Sequence, residues 1–169
     1  MIPNREKPFP MKPIPTPLLL AAALALAAAT ATTAFAQQAP KPENLIKWRQ
    51  SAFQVVAWNS GRIKASLDGN YDRTQVLRSA NAIAAIANAG LGSLFPPGTE
   101  TGKGWHDTSA KADLFANPAR AAQRSADFAK EANELLRVAS SGDAAAVKTQ
   151  FGNLQKTCKS CHDDFRNAN

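Results

Sequence analysis

Cys158-Lys159-Ser160-Cys161-His162, close to the end of the sequence, constrains this chain more than any other stretch. Two thiols three residues apart, followed at once by an imidazole, form the attachment signature of c-type haem: the thiols can add to the haem vinyls and the imidazole can ligate iron. On a helix these residues stand at i, i+3 and i+4, so both sulfurs and the ring project from one face. Other uses of a cysteine pair fit less well. A zinc site needs about four ligands, yet the sequence has only two cysteines and, besides His162, only His106. A redox-active pair belongs at the start of a helix that follows a strand, and no strand-like alternation precedes this one. A disulfide between residues three apart on one helix has poor geometry.

The opposite end reads as an export signal. Arg5, Lys7 and Lys12 precede an apolar run from Leu18 to Ala29, and Ala34-Phe35-Ala36 supplies a small-residue cleavage site. The run falls well short of the roughly 20 residues that a spanning helix needs. The expectation is a signal peptide over residues 1–36, of the Sec type because no Arg-Arg pair is present. Residues 37–169 then make one domain with a single core, located in the bacterial periplasm, with no membrane span after cleavage. The whole chain carries a net charge of +7 at pH 7, and the remainder stays moderately basic without the leader. That favours an acidic redox protein or a negatively charged surface as partner. No basic stripe interleaves with aromatics, so no nucleic-acid partner is expected.

Four helical segments follow the leader. The first opens at Lys41-Pro42-Glu43 and runs to about Leu67, with Leu45, Trp48, Ala52, Val55 and Val56 as its apolar stripe and Asp68-Gly69-Asn70 as its stop. Asp72 caps the second, whose stripe is Val76, Ala80, Ile83 and Ala87 before Gly90 and Gly92. A long loop, Phe95 to Phe115, comes next, and loops of that length tend to be functional. Asn117-Pro118 starts the third helix as cap and first residue, with Ala121, Ser125, Phe128, Ala132, Leu135 and Ala139 in line up to Gly142. Asp143 caps the fourth, where Val147, Phe151, Leu154, Cys158, Cys161 and Phe165 share one stripe. The cysteines occupy core positions of this last repeat. The expected fold is therefore all-α: an antiparallel four-helix bundle with haem c held inside it, beside the C-terminal helix.

With His162 as the axial ligand to iron, function turns on the sixth position. Met1 and Met11 both lie in the leader, which removes the His/Met pair usual in electron carriers. His106 sits in the long loop, where a surface role is favoured, and lysine ligation would require deprotonating a buried ammonium. The expectation is an iron with five ligands. The alternative is a low-spin, six-coordinate electron-transfer cytochrome using His106 or a lysine.

Lys41-Pro42-Glu43, Trp48-Arg49-Gln50-Ser51-Ala52-Phe53, Phe95-Pro96-Pro97-Gly98-Thr99-Glu100, Gly142-Asp143, Phe151-Gly152 and Cys158 to His162 with Phe165-Arg166 together resemble the cytochrome c prime family. The resemblance spans nearly all of the chain after the leader. It implies that Arg49 and Gln50 lie by the haem, with Arg49 pairing with a propionate, and that Phe53 covers the distal face. It also implies that Arg166 stands near the proximal imidazole and that Lys103, in the loop, meets a propionate. Two departures stand out: Phe115 replaces a frequent Trp, and the pair Trp105-His106 is unusual for that loop.

The function so implied is a periplasmic, high-spin, five-coordinate cytochrome that binds nitric oxide and carbon monoxide and passes single electrons. The resemblance points to a homodimer. Trp48 and Trp58, ten apart on the first helix and so expected on different faces, would leave one aromatic for a partner copy. An enzyme would need acid and base groups over the iron. Arg49 to Phe53 offers only a guanidinium and an amide, so none is expected.

Overall fold

The computed structural model describes residues 39–167; the signal-peptide reading falls on residues outside them. Four long helices dominate: α1 (Pro42–Asp68), α2 (Arg73–Ala87), then α4 (Pro118–Ser141) and α5 (Ala144–Phe165), with a short α3 (Ala112–Ala116) before α4. They form an antiparallel four-helix bundle in which α1 packs on α2, α2 on α4 and α4 on α5. Among the described residues no helix is long and apolar enough to cross a membrane.

Local chemistry sets the boundaries. Pro42 occupies the first turn of α1, where its missing N–H costs nothing. The Asp72 carboxylate accepts from the Gln75 N–H at 3.0 Å, and Asp143 accepts from Ala145 N at 2.9 Å, so both expected caps form. Gly142, at φ 83°, takes the left-handed conformation that residues with a β-carbon rarely adopt, and lies beside the Arg73 side chain. Asn117 and Pro118 start α4 as expected, but the Asn117 side chain makes no capping hydrogen bond. Its Nδ2 donates instead to Asp113 O at 3.1 Å, because the same residue ends α3 and begins α4 and the orphan carbonyl claims it. Nor is the stretch from Phe95 to Phe115 an unbroken loop, since α3 forms within it.

The stripes of α2, α4 and α5 fall as the sequence periodicity places them, with Val76, Ala80, Ile83, Ala132, Leu135, Ala139, Val147 and Leu154 buried. In α1 the stripe is shifted. Ile46, Arg49, Val56, Asn59, Ile63 and Ser66 face inward, while Trp48 is 49% exposed and Val55 44%. Three of those inward residues are polar, and apolar residues line the outward side as well, so hydropathy alone selects the wrong arc. Trp48 and Trp58 also share that outward side, Trp58 being 61% exposed. Ten residues bring a helix back to within about 80°, so they are neighbours on one broad face rather than on different ones.

Burial is uneven along the bundle. The end containing the α1–α2 and α4–α5 turns is filled by Ile63, Val76, Leu135, Ala139 and Val147. Toward the other end Leu45, Ala52, Phe128, Cys158 and Cys161 are only half-buried and Phe53 is exposed. Apolar side chains in this half are less covered than those of the filled end, with Phe128 packed on the edge of the core.

Candidate functional site

That half-closed end holds the residues the sequence singled out. Cys158 and Cys161 lie one turn apart on α5, half-buried and free of any disulfide. Burial pushes both thiols up from their ordinary range, so they are protonated at neutral pH. His162 is exposed, and desolvation followed by the nearby Arg166 charge lowers its pKa. A neutral imidazole is the form that can ligate iron.

This turn is held from two sides. Asp164 accepts from Arg120 Nη2 at 2.6 Å and from Arg124 Nε at 2.9 Å, tying the first turns of α4 to the turn bearing Cys161. The loop before α3 then pairs with the end of α5, Lys111 N donating to Phe165 O and Asn167 N to Ser109 O. Arg166 is exposed and bridges in the backbone to Ala110.

The same loop reaches back to α1, so residues 99–111 form a strap between the first and last helices. Arg49, 3% exposed, donates from Nη1 to Thr99 Oγ1 at 2.9 Å and to Leu94 O at 3.3 Å. Its Nη2 donates to Thr99 O and to Thr108 Oγ1, both at 2.7 Å. Gln50 accepts from Trp105 N and donates to His106 O, and the Trp105 indole donates to Ser51 Oγ at 2.8 Å. Gly104 is needed for this approach, because a β-carbon there would fall on Gln50, Ile46 and the Lys47 backbone. His106 is exposed, its Nδ1 donating to Asp107 O at 2.8 Å. Lys103 is exposed too, on an isolated bridge with Asp107.

Arg49 is electrostatically incomplete. Its partners are neutral oxygens, and among the described residues no carboxylate stands within ion-pair reach. Desolvation lowers its pKa against a smaller opposing pull from the Glu100 charge, yet a guanidinium stays charged in any protein. A buried cation without an anion costs free energy until one arrives. Next to it, Phe95 lies under the guanidinium at 4.7 Å and tilts against Phe53 with ring centroids 6.4 Å apart.

Paired thiols and a neutral imidazole on one helix face, in a half-open apolar end of a helical bundle, make this a c-type cytochrome. The Cytochrome C' family model matches residues 44–166. A cytochrome c' of Rhodocyclus tenuis is 58% identical over 127 residues, 75% of this chain and 96% of that one. The crystal structure of cytochrome c' from Thermochromatium tepidum, 41% identical, superimposes with a TM-score of 0.74 over 76% of this chain and 98% of its own. A second structure, 43% identical with the same TM-score and coverage, is of a cytochrome c' with an unusual ligand-controlled dimer dissociation. The chain belongs to the cytochrome c' family, whose members carry a covalently bound haem c with iron.

The residues fit that group. Haem is a flat apolar ring with two carboxylates; the bundle end offers under-buried apolar side chains, two free thiols on one face and a buried cation lacking an anion. Periodicity and motif led to Cys158, Cys161 and His162, and resemblance to Arg49, Gln50 and Phe53. Thr99, Thr108, Phe95 and Asp164 carry no local signal of their roles, since their partners stand 40 or more residues away and only folding brings them together.

Proposed function

We propose that this chain is an exported cytochrome whose haem is joined to Cys158 and Cys161 by thioethers and held by His162 as the one protein ligand to iron. The iron binds nitric oxide and carbon monoxide and passes single electrons. The observation that carries this reading is the strap: it engages His106 through its own neighbour and through Gln50, while Phe53 of α1 pairs with Phe95 of the turn after α2. Phe53 covers the distal face, Arg49 and Lys103 meet the propionates, and Arg166 flanks the proximal imidazole. A distal side lined by Phe53 gives bound dioxygen no hydrogen-bond donor, which favours nitric oxide and carbon monoxide. A solved nitric oxide complex of a cytochrome c' variant from Alcaligenes xylosoxidans, 28% identical with a TM-score of 0.68, supports the choice of gas. Arg49 stays protonated and Gln50 is an amide, so no general base serves an enzymatic reaction here.

The absorption spectrum of the reduced protein, before and after adding carbon monoxide, tests the reading. Broad, weak visible bands that sharpen with the gas are expected; sharp bands beforehand, unmoved by it, would establish the six-coordinate alternative. Phe53→Ala should speed carbon monoxide association about tenfold, equivalent to a barrier lower by about 1.4 kcal/mol. An unchanged rate would remove Phe53 from the distal face.

The leader directs export to the periplasm, with cleavage after Ala36; the mass of the purified mature protein checks that site. The basic surface then meets an acidic redox protein. A second copy of the chain covers the outward strip of α1, where Trp48, Val55 and Trp58 are exposed beside Trp105 of the strap, itself 65% exposed. Trp58→Glu should convert dimer to monomer in sedimentation velocity. A dimer unaffected by that charge places the contact elsewhere.

A further inference from the structure

We infer that Phe95 is a positioning residue that limits how far Phe53 can swing, and so sets the rate at which gas reaches the iron. The inference rests on the reading of Phe53 as the distal cover. Arg49 and Phe53 are four residues apart on α1 and share one face of it. Phe95 touches both: the Arg49 guanidinium lies 4.7 Å from its ring centre, and the Phe53 centroid is 6.4 Å away at an interplanar angle of 51°. Tilted pairs at this separation are attractive beyond the area they bury.

Phe95 cannot easily retreat. It closes the 3-10 turn Leu91–Leu94, its N–H donating to Gly92 O at 3.1 Å, and Pro96-Pro97 stiffen the chain beyond it. Arg49 cannot retreat either, because its four bonds to Leu94, Thr99 and Thr108 fix the guanidinium from the strap side. Of the trio Phe53 is the most exposed, at 40%, whereas Phe95 is half-buried and Arg49 buried, and the Phe95 ring is the aromatic contact of Phe53 outside α1. Its position is therefore set by a ring outside its own helix.

Carbon monoxide association with the haem-loaded protein tests this in a double-mutant cycle of Phe95→Ala and Phe53→Ala, with crystal structures of the single variants as a second readout. Phe95→Ala should speed association about fivefold, the scale of losing one aromatic contact. Its structure should show the Phe53 ring in a second rotamer. The double variant should be no faster than Phe53→Ala alone, since Phe95 acts only through Phe53. Should Phe95→Ala fold poorly, Phe95→Leu keeps apolar volume while removing the stacking ring, and the same outcomes apply. A fast Phe53→Ala protein beside a Phe95 variant at the parent rate would overturn the inference and leave the distal assignment standing. Multiplicative effects in the double variant would overturn it as well, by showing that the two rings act independently. Parent rates in Phe53→Ala would remove the distal assignment itself, and the inference with it.

Discussion

Replacing both Cys158 and Cys161 with alanine should abolish covalent haem: acidified acetone should extract all colour from the variant and none from the parent. The expectation follows from the inventory of thiols, which ends with these two. A thioether forms when a thiol S–H adds across a vinyl double bond, and no other side chain here can do the same. The single variants are more informative still. With one thiol left, one vinyl stays conjugated to the ring, and the pyridine haemochrome band should move to longer wavelength in Cys158→Ala and Cys161→Ala alike. Stability should drop in parallel, because a group bound to the folded state alone stabilises that state, and this end of the bundle leaves Phe53, Phe128 and both cysteines incompletely covered. Haem that survives extraction in the double variant would mean attachment elsewhere and would end the assignment of this motif.

What the sequence made legible follows a physical divide. Periods of three and four, capping carboxylates and the five-residue motif are local, and α2, α4, α5 and the positions of Cys158, Cys161 and His162 were read from them. The inward arc of α1 departs from its apolar stripe at Trp48 and Val55 because its buried line contains Arg49, Asn59 and Ser66, polar residues whose burial makes sense only once their partners are known. Arg49 is the clearest case. Sequence resemblance connects it with a propionate, the contact proposed above, whereas the folded chain bonds it to Thr99 and Thr108, fifty and fifty-nine residues away. No local pattern encodes that pairing. Asp164 is another: at the sequence level it is one of several charges near the end of α5, and only the packing of α4 on α5 turns it into the acceptor for two arginines.

Arg49→Lys separates the strap bonds from the proposed propionate contact, because it keeps the charge and discards the fork. A guanidinium presents five N–H donors in a fixed plane and can bond Leu94 O, both Thr99 oxygens and Thr108 Oγ1 at once; an ammonium has three donors on one atom and cannot span them. At least one acceptor must be left without its donor, and Thr99, 1% exposed, is poorly placed to find water instead. Thr99 Oγ1 itself donates to Pro96 O at 2.9 Å, so the loss extends into the turn that follows Phe95. An orphaned buried acceptor costs about 2 kcal/mol, which raises the open population of the strap about thirtyfold. Lys103 lies exposed in that segment, so trypsin reports the opening directly. When reclosing outpaces cleavage, the rate of cutting after Lys103 tracks the open population and should rise by the same factor. Haem content should stay near the parent level, since the substituted ammonium still offers a cation to a propionate. Cleavage at the parent rate, with haem lost instead, would show that Arg49 serves the cofactor alone and that the strap is secured by Gln50 and Ser51.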